Sequence, residues 1–205
     1  MADGRVPDEV GRHAYDRIAT AYGQRKAAAP LADWSQALQS TLLSGVRPGG
    51  TVLDLGCGHG FEVEDVRAAG LDAVGIDLSW GMLRAAQQRA RGRVVQGDLT
   101  RLPVATGRVS AVWSLHALLH VADLQGALCE VARVLEPGGT AALTFAVGDG
   151  VTDEPVAWLP EVQRRFVHVP LPVVRQALDR AGLLVRRQGL EPGARTTCWV
   201  LAGPA

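Results

Sequence analysis

From Thr51 onward the chain alternates short β-branched apolar runs with amphipathic stretches of a dozen residues or so. The runs are TVLDL at 51–55, DAVGI at 72–76, RVVQ at 93–96, SAVWSL at 110–115 and TAALTFAV at 140–147. Between them FEVEDVRAAG, SWGMLRAAQQRARG and DLQGALCEVARVLEPGG carry apolar residues at helical spacing, with Gly70, Gly92 and Gly138 placed as helix C-terminal glycines. Strand and helix in turn predict parallel βαβ units, hence a doubly wound α/β sheet with helices on both faces. A helix at 171–181, closed by Gly182, is followed by strand-like LLVRRQ at 183–188 and TTCWVLA at 196–202. The short LEPGA turn between those two runs predicts an antiparallel hairpin appended to the parallel sheet. Ahead of the core, HAYDRIATAYGQR and LADWSQALQSTLLSGV predict two N-terminal helices separated by Pro30.

Composition narrows the possibilities. With 205 residues, 47% of them apolar and 20% charged, the chain suits one well-filled domain over 1–205 and not disorder. The 21 acidic and 21 basic side chains cancel, which removes the electrostatic argument for nucleic acid or an anionic membrane and favours a small-molecule partner. Lys26 is the sole lysine. No apolar run approaches the roughly 20 residues that span a bilayer, and MADGRVPDEV has no signal-peptide core, so the expected location is cytoplasmic. Cys57, Cys129 and Cys198 are widely spaced and read as reduced thiols, not as a disulfide framework or a metal cluster.

The strongest chemical signal is VLDLGCGHG at 52–60, a buried strand running into alternating glycines. Such a loop lets the backbone approach a ligand, and the helix from Phe61 offers free N–H groups at its start. A dinucleotide fingerprint G-x-G-x-x-G starting at Gly56 and Gly58 needs glycine at 61; Phe61 disfavours nicotinamide or flavin. Asp77 closes the second strand about twenty residues past the glycines, where a carboxylate accepts from two ribose hydroxyls; Asp98 closes the third.

Four ordered motifs carry a resemblance over about 12–190: D-L-G-C-G-x-G at 54–60, G-I-D-L-S at 75–79, G-D-L-x-x-L-P at 97–103 and L-E-P-G-G-T at 135–140. They resemble the class I S-adenosylmethionine (SAM)-dependent methyltransferases, of the small-molecule type related to the ubiquinone/menaquinone C-methyltransferases. The resemblance implies a seven-stranded Rossmann-like sheet, mostly parallel with an antiparallel C-terminal hairpin strand. It divides the chain into a helical cap (1–49), a cofactor-binding core (50–147), a substrate lid (148–170) and a C-terminal helix and hairpin (171–205). It implies SAM as cofactor, S-adenosylhomocysteine (SAH) as product, and methyl transfer to O, N or C of a small molecule, with a monomer or homodimer as the assembly. The alternatives are a relative that uses the cofactor for cyclisation or elimination, and an inactive binding protein.

By the same resemblance Gly56, Cys57 and Gly58 line the methionine part, Asp54 helps order it, Asp77 holds the ribose, and Leu78 and Met82 flank the adenine. Asp98 accepts from the adenine amino group and the Leu99 N–H meets the ring; the alternative for Asp98 is a turn acid, and Cys57 is a packing residue, not a nucleophile. Tyr15 and Tyr22 share a helix face in YDRIATAYGQR. In the family that segment folds over the cofactor, which implies Tyr15 near the methyl, Tyr22 near the methionine and Arg25 near its carboxylate; packing aromatics on the sheet is the alternative. Where the family has an acid before the fourth strand, this chain has Arg108-Val109-Ser110, which bears on packing more than on chemistry.

In WSLHALLHV, Ser114 and Leu115 end the fourth strand and are expected at the methionine amine, while His116 and His120 share a face if the segment is helical. His116, at the mouth, is a candidate general base beside a non-catalytic reading, because imidazole titrates near neutral pH. His120 supports the fold or the cofactor pocket. A metal pair is disfavoured for want of the glutamate of H-E-x-x-H. His168 and Tyr15 are further candidate bases, with Trp158 and Phe166 as an apolar wall or as core, and Trp34 as a further pocket residue.

Overall fold

The structure, a computed structural model, describes residues 9–28 and 31–205, with side chains from Arg12 onward; Pro30, expected between the first two helices, lies outside them. Two helices lead, α1 (Glu9–Ala27) and α2 (Asp33–Ser44). The alternating core then runs β1 (Thr51–Leu55), α3 (Phe61–Ala68), β2 (Asp72–Asp77), α4 (Trp80–Ala86), β3 (Val94–Gln96), β4 (Val109–Ser114), α5 (Leu124–Val134) and β5 (Leu135–Val147). The chain finishes through β6 (Gly150–Val156), β7 (Leu159–Val169), α6 (Leu171–Arg180), β8 (Leu183–Glu191) and β9 (Thr197–Pro204).

The seven expected strands form one sheet in the order β3-β2-β1-β4-β5-β9-β8, parallel except for β9, which runs antiparallel to both β5 and β8. Every residue of β4 is buried, as a central strand covered on both faces requires. Strand order reverses between β1 and β4, and a doubly wound sheet opens its ligand crevice at the carboxyl ends there. Side-chain alternation decides what faces that crevice. Leu53 and Leu55 join Leu128, Val131 and Leu178 on the α5–α6 side, while Val52 lies with Trp113, Leu38 and Val63 on the α2–α3 side. Asp54, two residues from Val52, is therefore aimed into the α2–α3 side of the crevice.

Two expectations need correction. The sheet has nine strands, not seven: residues expected as a short lid at 148–170 fold into the β6–β7 hairpin, whose β7 adds to the tip of β5 at Ala146↔His168 and Val147↔Val169. The run DEPVAWLPEVQRRFVHV hides its strands because Pro155, Pro160 and five charged residues interrupt the alternation. Gly138 does not end α5, which stops at Val134; it sits inside β5 with φ 82°, in the irregular start of that strand opposite β4.

The hairpin and α4 clasp α1 from two sides. Ala14, Ile18 and Ala19 of α1 are buried with Met82 of α4 and with Val156 and Val162 of the hairpin. The Asp16 carboxylate accepts from the Ser79 hydroxyl and the Gly81 N–H, both at 2.7 Å, so α1 supplies a partner for the first turn of α4. A methyl group at Gly81 would lie 3.0 Å from the Asp16 backbone, so that helix crossing is as close as it can be.

Candidate functional site

The glycine loop leaves β1 in left-handed turns, with φ 76° at Gly56 and 49° at Gly58. A side chain at Gly56 would strike Ala117 at 2.3 Å, whereas one at Gly58 would meet nothing within 4 Å: the first glycine packs, and the second fronts open space. The loop is pinned to β2 because the Gly56 and Cys57 N–H groups both donate to the Ile76 carbonyl, at 2.7 and 3.1 Å. Asp77 continues this brace, accepting from the Gly58 N–H and the Ser79 N–H at 2.8 Å each. Burial raises the Asp77 pKa, and those two backbone donors oppose the rise.

Beside the loop lies a narrow open cleft, with Tyr22, Lys26, Asp54, Gly58, Glu62 and Trp113 on its walls. Two of its polar atoms, Asp54 Oδ2 and Trp113 Nε1, are buried without a hydrogen-bond partner. Burial, then the charges of Glu62 and Asp77, push the Asp54 carboxyl well above the usual carboxylate range. Lys26 Nζ stands 3.2 Å from Glu62 Oε1 across the mouth. The set contains what an α-amino-acid end group needs: carboxylates with spare acceptor capacity for an ammonium, and one ammonium for a carboxylate. Arg25 points elsewhere, its guanidinium 4.3 Å over the Trp158 ring. Lys26, which sequence reasoning passed over, takes the position in the cleft.

His59 of the loop holds α1 down. A carbonyl can only accept, so the His59 Nε2 carries a proton and donates it to Ala19 O at 2.7 Å. The ring fills the place of a side chain at residue 23: a methyl at Gly23 would lie 2.1 Å from it. A glycine inside a helix, otherwise unfavourable by about 1 kcal/mol, was the available signal for this contact.

Toward the mouth a second group of rings gathers. Tyr15 lies edge-on to Tyr22 and to His120, at 6.0 and 5.3 Å between centroids, and His120 lies 4.8 Å from Phe166. His120 Nδ1 is 2.6 Å from Arg165 O, so Nδ1 bears the hydrogen and Nε2 accepts; the Tyr15 hydroxyl at 2.9 Å must then be the donor to Nε2. Both groups are held neutral. Burial pushes His120 down to about 4 and drives the Tyr15 phenol upward. His116 is not on one helical face with His120. It adopts φ 57°, and only Leu118–His120 form a 3-10 turn, because the His116 N–H donates to the Thr144 hydroxyl at 2.8 Å, which itself donates to Ser114 O at 3.3 Å. Neither the turn nor Thr144 was legible in WSLHALLHV. His116 meets Trp34 edge-on at 6.1 Å, and burial lowers its pKa, so its imidazole is neutral at pH 7.

The remaining expected residues divide by location. Leu115 and Cys57 line the cleft. Ser114 is fully buried and donates to Leu55 O at 3.2 Å. Leu78 gives its carbonyl to Gln96, Leu99 is buried, and Met82 is buried beneath α1. Asp98 Oδ1 accepts from the Thr100 N–H and hydroxyl, both at 2.8 Å, as a turn acid does; its Oδ2 takes no part in that turn. His168 bonds Thr152 at 3.0 Å on the hairpin, apart from the Tyr15–His120 rings.

The family described as "Methyltransferase domain" matches residues 53–143. A malonyl-[acyl-carrier protein] O-methyltransferase of Erwinia billingiae is 32% identical over 180 residues, covering 80% of this chain and 70% of that protein. A demethylmenaquinone methyltransferase of Mycolicibacterium paratuberculosis is 42% identical over 106 residues, 52% of this chain and 45% of that one. The chain thus spans a little over two thirds of the first relative's length and about half of the second's. Among solved structures, a 1,6-didemethyltoxoflavin-N1-methyltransferase of Burkholderia thailandensis, bound to its substrate and S-adenosylhomocysteine, superposes with TM-score 0.68 at 17% identity, covering 98% of this chain and 92% of that one. At that identity the likeness is one of fold. The sheet order, the braced glycine loop and the sequence match together place the chain in the class I SAM-dependent methyltransferases, with SAM as the cofactor.

Proposed function

We propose that this methyltransferase alkylates a small organic acceptor bound between the Tyr15–His120–Phe166 rings and the His116–Trp34 pair. One observation carries the placement: the only unpartnered carboxylate oxygen among the buried side-chain atoms of the described residues, on Asp54, lies in a cleft beside Lys26 and Glu62, and the ring cluster adjoins it through Tyr22. Asp54 and Glu62 would hold the cofactor's ammonium, Lys26 its carboxylate and Asp77 its ribose hydroxyls. SAM, when bound, supplies a methyl group on a positively charged sulfur. The protein's part is then to hold the acceptor at attack distance and exclude water, and proximity of this kind is worth about 7–11 kcal/mol.

The rings divide that work. The Tyr15 hydroxyl donates to His120 while its oxygen accepts from the Arg164 side, and the Arg165 carbonyl fixes the His120 tautomer from behind. His120, with both nitrogens engaged, supports Tyr15 and moves no proton. His116 has no hydrogen bond to its ring among the described residues and is neutral near pH 7, so it can take a proton from a hydroxyl or protonated amine acceptor. The names of two relatives specify an O- and an N1-methyl transfer, so the shared fold serves either acceptor atom. Balanced charge favours a small acceptor over nucleic acid.

The test is a His116→Ala variant alongside wild type, incubated with SAM and an acceptor panel, with SAH release and a mass gain of one methyl followed together. Wild type should form both products. His116→Ala should keep its SAH affinity within about twofold and lose turnover by no more than the roughly 10²–10⁴-fold that one proton transfer contributes. Loss of SAH binding in that variant would refute the role given to His116.

A further inference from the structure

The β6–β7 hairpin turns an apolar face toward α1, and one residue breaks it. Val162, Arg164 and Phe166 alternate onto the same side of β7; Val162 is buried among Ala14 and Ile18, and Phe166 is buried against Leu119. Arg164, between them, is only half-exposed, and its Nε is fully buried with no hydrogen-bond partner. Its guanidinium carbon lies 5.4 Å from the centre of the Phe166 ring, it reaches the Tyr15 hydroxyl as a donor, and its charge is felt by Tyr15, Tyr22, His120 and Glu154. A guanidinium pressed into an apolar wall is costly unless something answers it.

No carboxylate of the hairpin forms an ion pair with it. The neighbouring arginines are neutralised: Arg165 makes a two-pronged pair with Asp153 at 2.9 Å on each arm, and Arg195 pairs with Glu154. Glu154 sits opposite Arg164 in the strand ladder, yet its carboxylate is bound to Arg195, whose guanidinium covers the other approach to Phe166 at 3.9 Å. Arg164 thus makes no direct ion pair among the described residues, and its guanidinium is the hairpin charge that acts on the Tyr15 hydroxyl.

We propose that Arg164 anchors a carboxylate carried by the methyl acceptor, so that the enzyme's substrates are organic acids. This rests on the reading of the Tyr15–His120–Phe166 rings as the acceptor site. A single planar fork with apolar neighbours matches one planar two-oxygen anion; a phosphate would need further donors, and the adjacent arginines are already paired. Lys26, which pairs with Glu62 in the glycine-loop cleft, would serve the cofactor's own carboxylate, so the two anions have separate partners.

The test uses SAH-saturated protein titrated calorimetrically with benzoate and malonate, each against its uncharged amide, for wild type, Arg164→Gln and Arg164→Lys. Wild type should bind at least one of the carboxylates tenfold or more tightly than the matching amide. Arg164→Gln should abolish that preference while leaving the SAH dissociation constant within about twofold, and Arg164→Lys should restore part of it. Carboxylates that bind wild type no better than their amides, or not at all, would overturn the proposal. So would a tenfold loss of SAH affinity in Arg164→Gln, because the guanidinium would then be reading the cofactor. Failure of wild type to bind SAH would instead strike the cofactor cleft itself.

Discussion

Replacing Asp54 by asparagine should make the cofactor-free protein more stable and the cofactor-bound protein weaker. The carboxyl is 5% exposed, its Oδ2 has no partner, and Glu62 and Asp77 add negative charge nearby. Asparagine keeps a polar atom there but removes the charge that burial and the neighbouring carboxylates disfavour, a difference of about 1–3 kcal/mol, and for a domain of this size 1 kcal/mol moves Tm by about 2–4 °C. Asp54→Asn should therefore raise Tm of the cofactor-free protein by roughly 2–12 °C at pH 7–8. The sign with pH follows from linkage. A carboxyl raised in the folded state costs nothing below its unfolded pKa of about 3.9, and the cost grows as pH climbs through the folded value. The gain should accordingly shrink as the melting experiment is moved down toward pH 4. Calorimetric titration with SAH should show the opposite effect, a loss of about 1.5–3 kcal/mol for a charge-assisted hydrogen bond, which is about 10–150-fold in Kd. A lower Tm without cofactor, together with unchanged SAH affinity, would refute the reasoning.

Asp77→Asn should weaken SAH by at least tenfold, because the Gly58 brace and the ribose share that carboxylate; an unchanged dissociation constant would contradict it. Gly23→Ala should lower Tm by several degrees, although alanine for glycine in an open helix stabilises by about 1 kcal/mol, since the added methyl lies 2.1 Å from His59; a rise would show that α1 is not seated on that ring. His120, held at about 4 against an unfolded value near 6.5, makes stability fall as pH drops from about 6.5 to 4. A His120→Gln variant should flatten that slope in denaturant melts taken across the range, and an unaltered slope would mean that the ring is not buried neutral.

How far the sequence reached depends on what kind of constraint each part obeys. β1, β2, β4 and β9 were legible because buried strands must be apolar runs, and the Gly56–Gly58 turn because its φ values favour glycine. The β6–β7 hairpin was not, since one of its faces is solvated and Pro155 and Pro160 break the pattern. Asp77 was legible as the acid that closes β2, but its bond to the Gly58 N–H was not. Lys26 was not, because which of two adjacent basic residues turns inward depends on Trp158, which attracts Arg25, and on Glu62, which attracts Lys26. The His116–His120 spacing suggested a helical face until the Thr144 hydroxyl, 28 residues away, was seen to capture the His116 N–H. A partner that distant leaves no mark on local periodicity.

The most direct test of the account is a crystal structure of the SAH complex. It should show the homocysteine ammonium against Asp54 and Glu62, its carboxylate on Lys26, the ribose on Asp77, and the sulfur facing the side bounded by Tyr15 and His116. A ligand seated elsewhere, or a sulfur turned away from those rings, would contradict it.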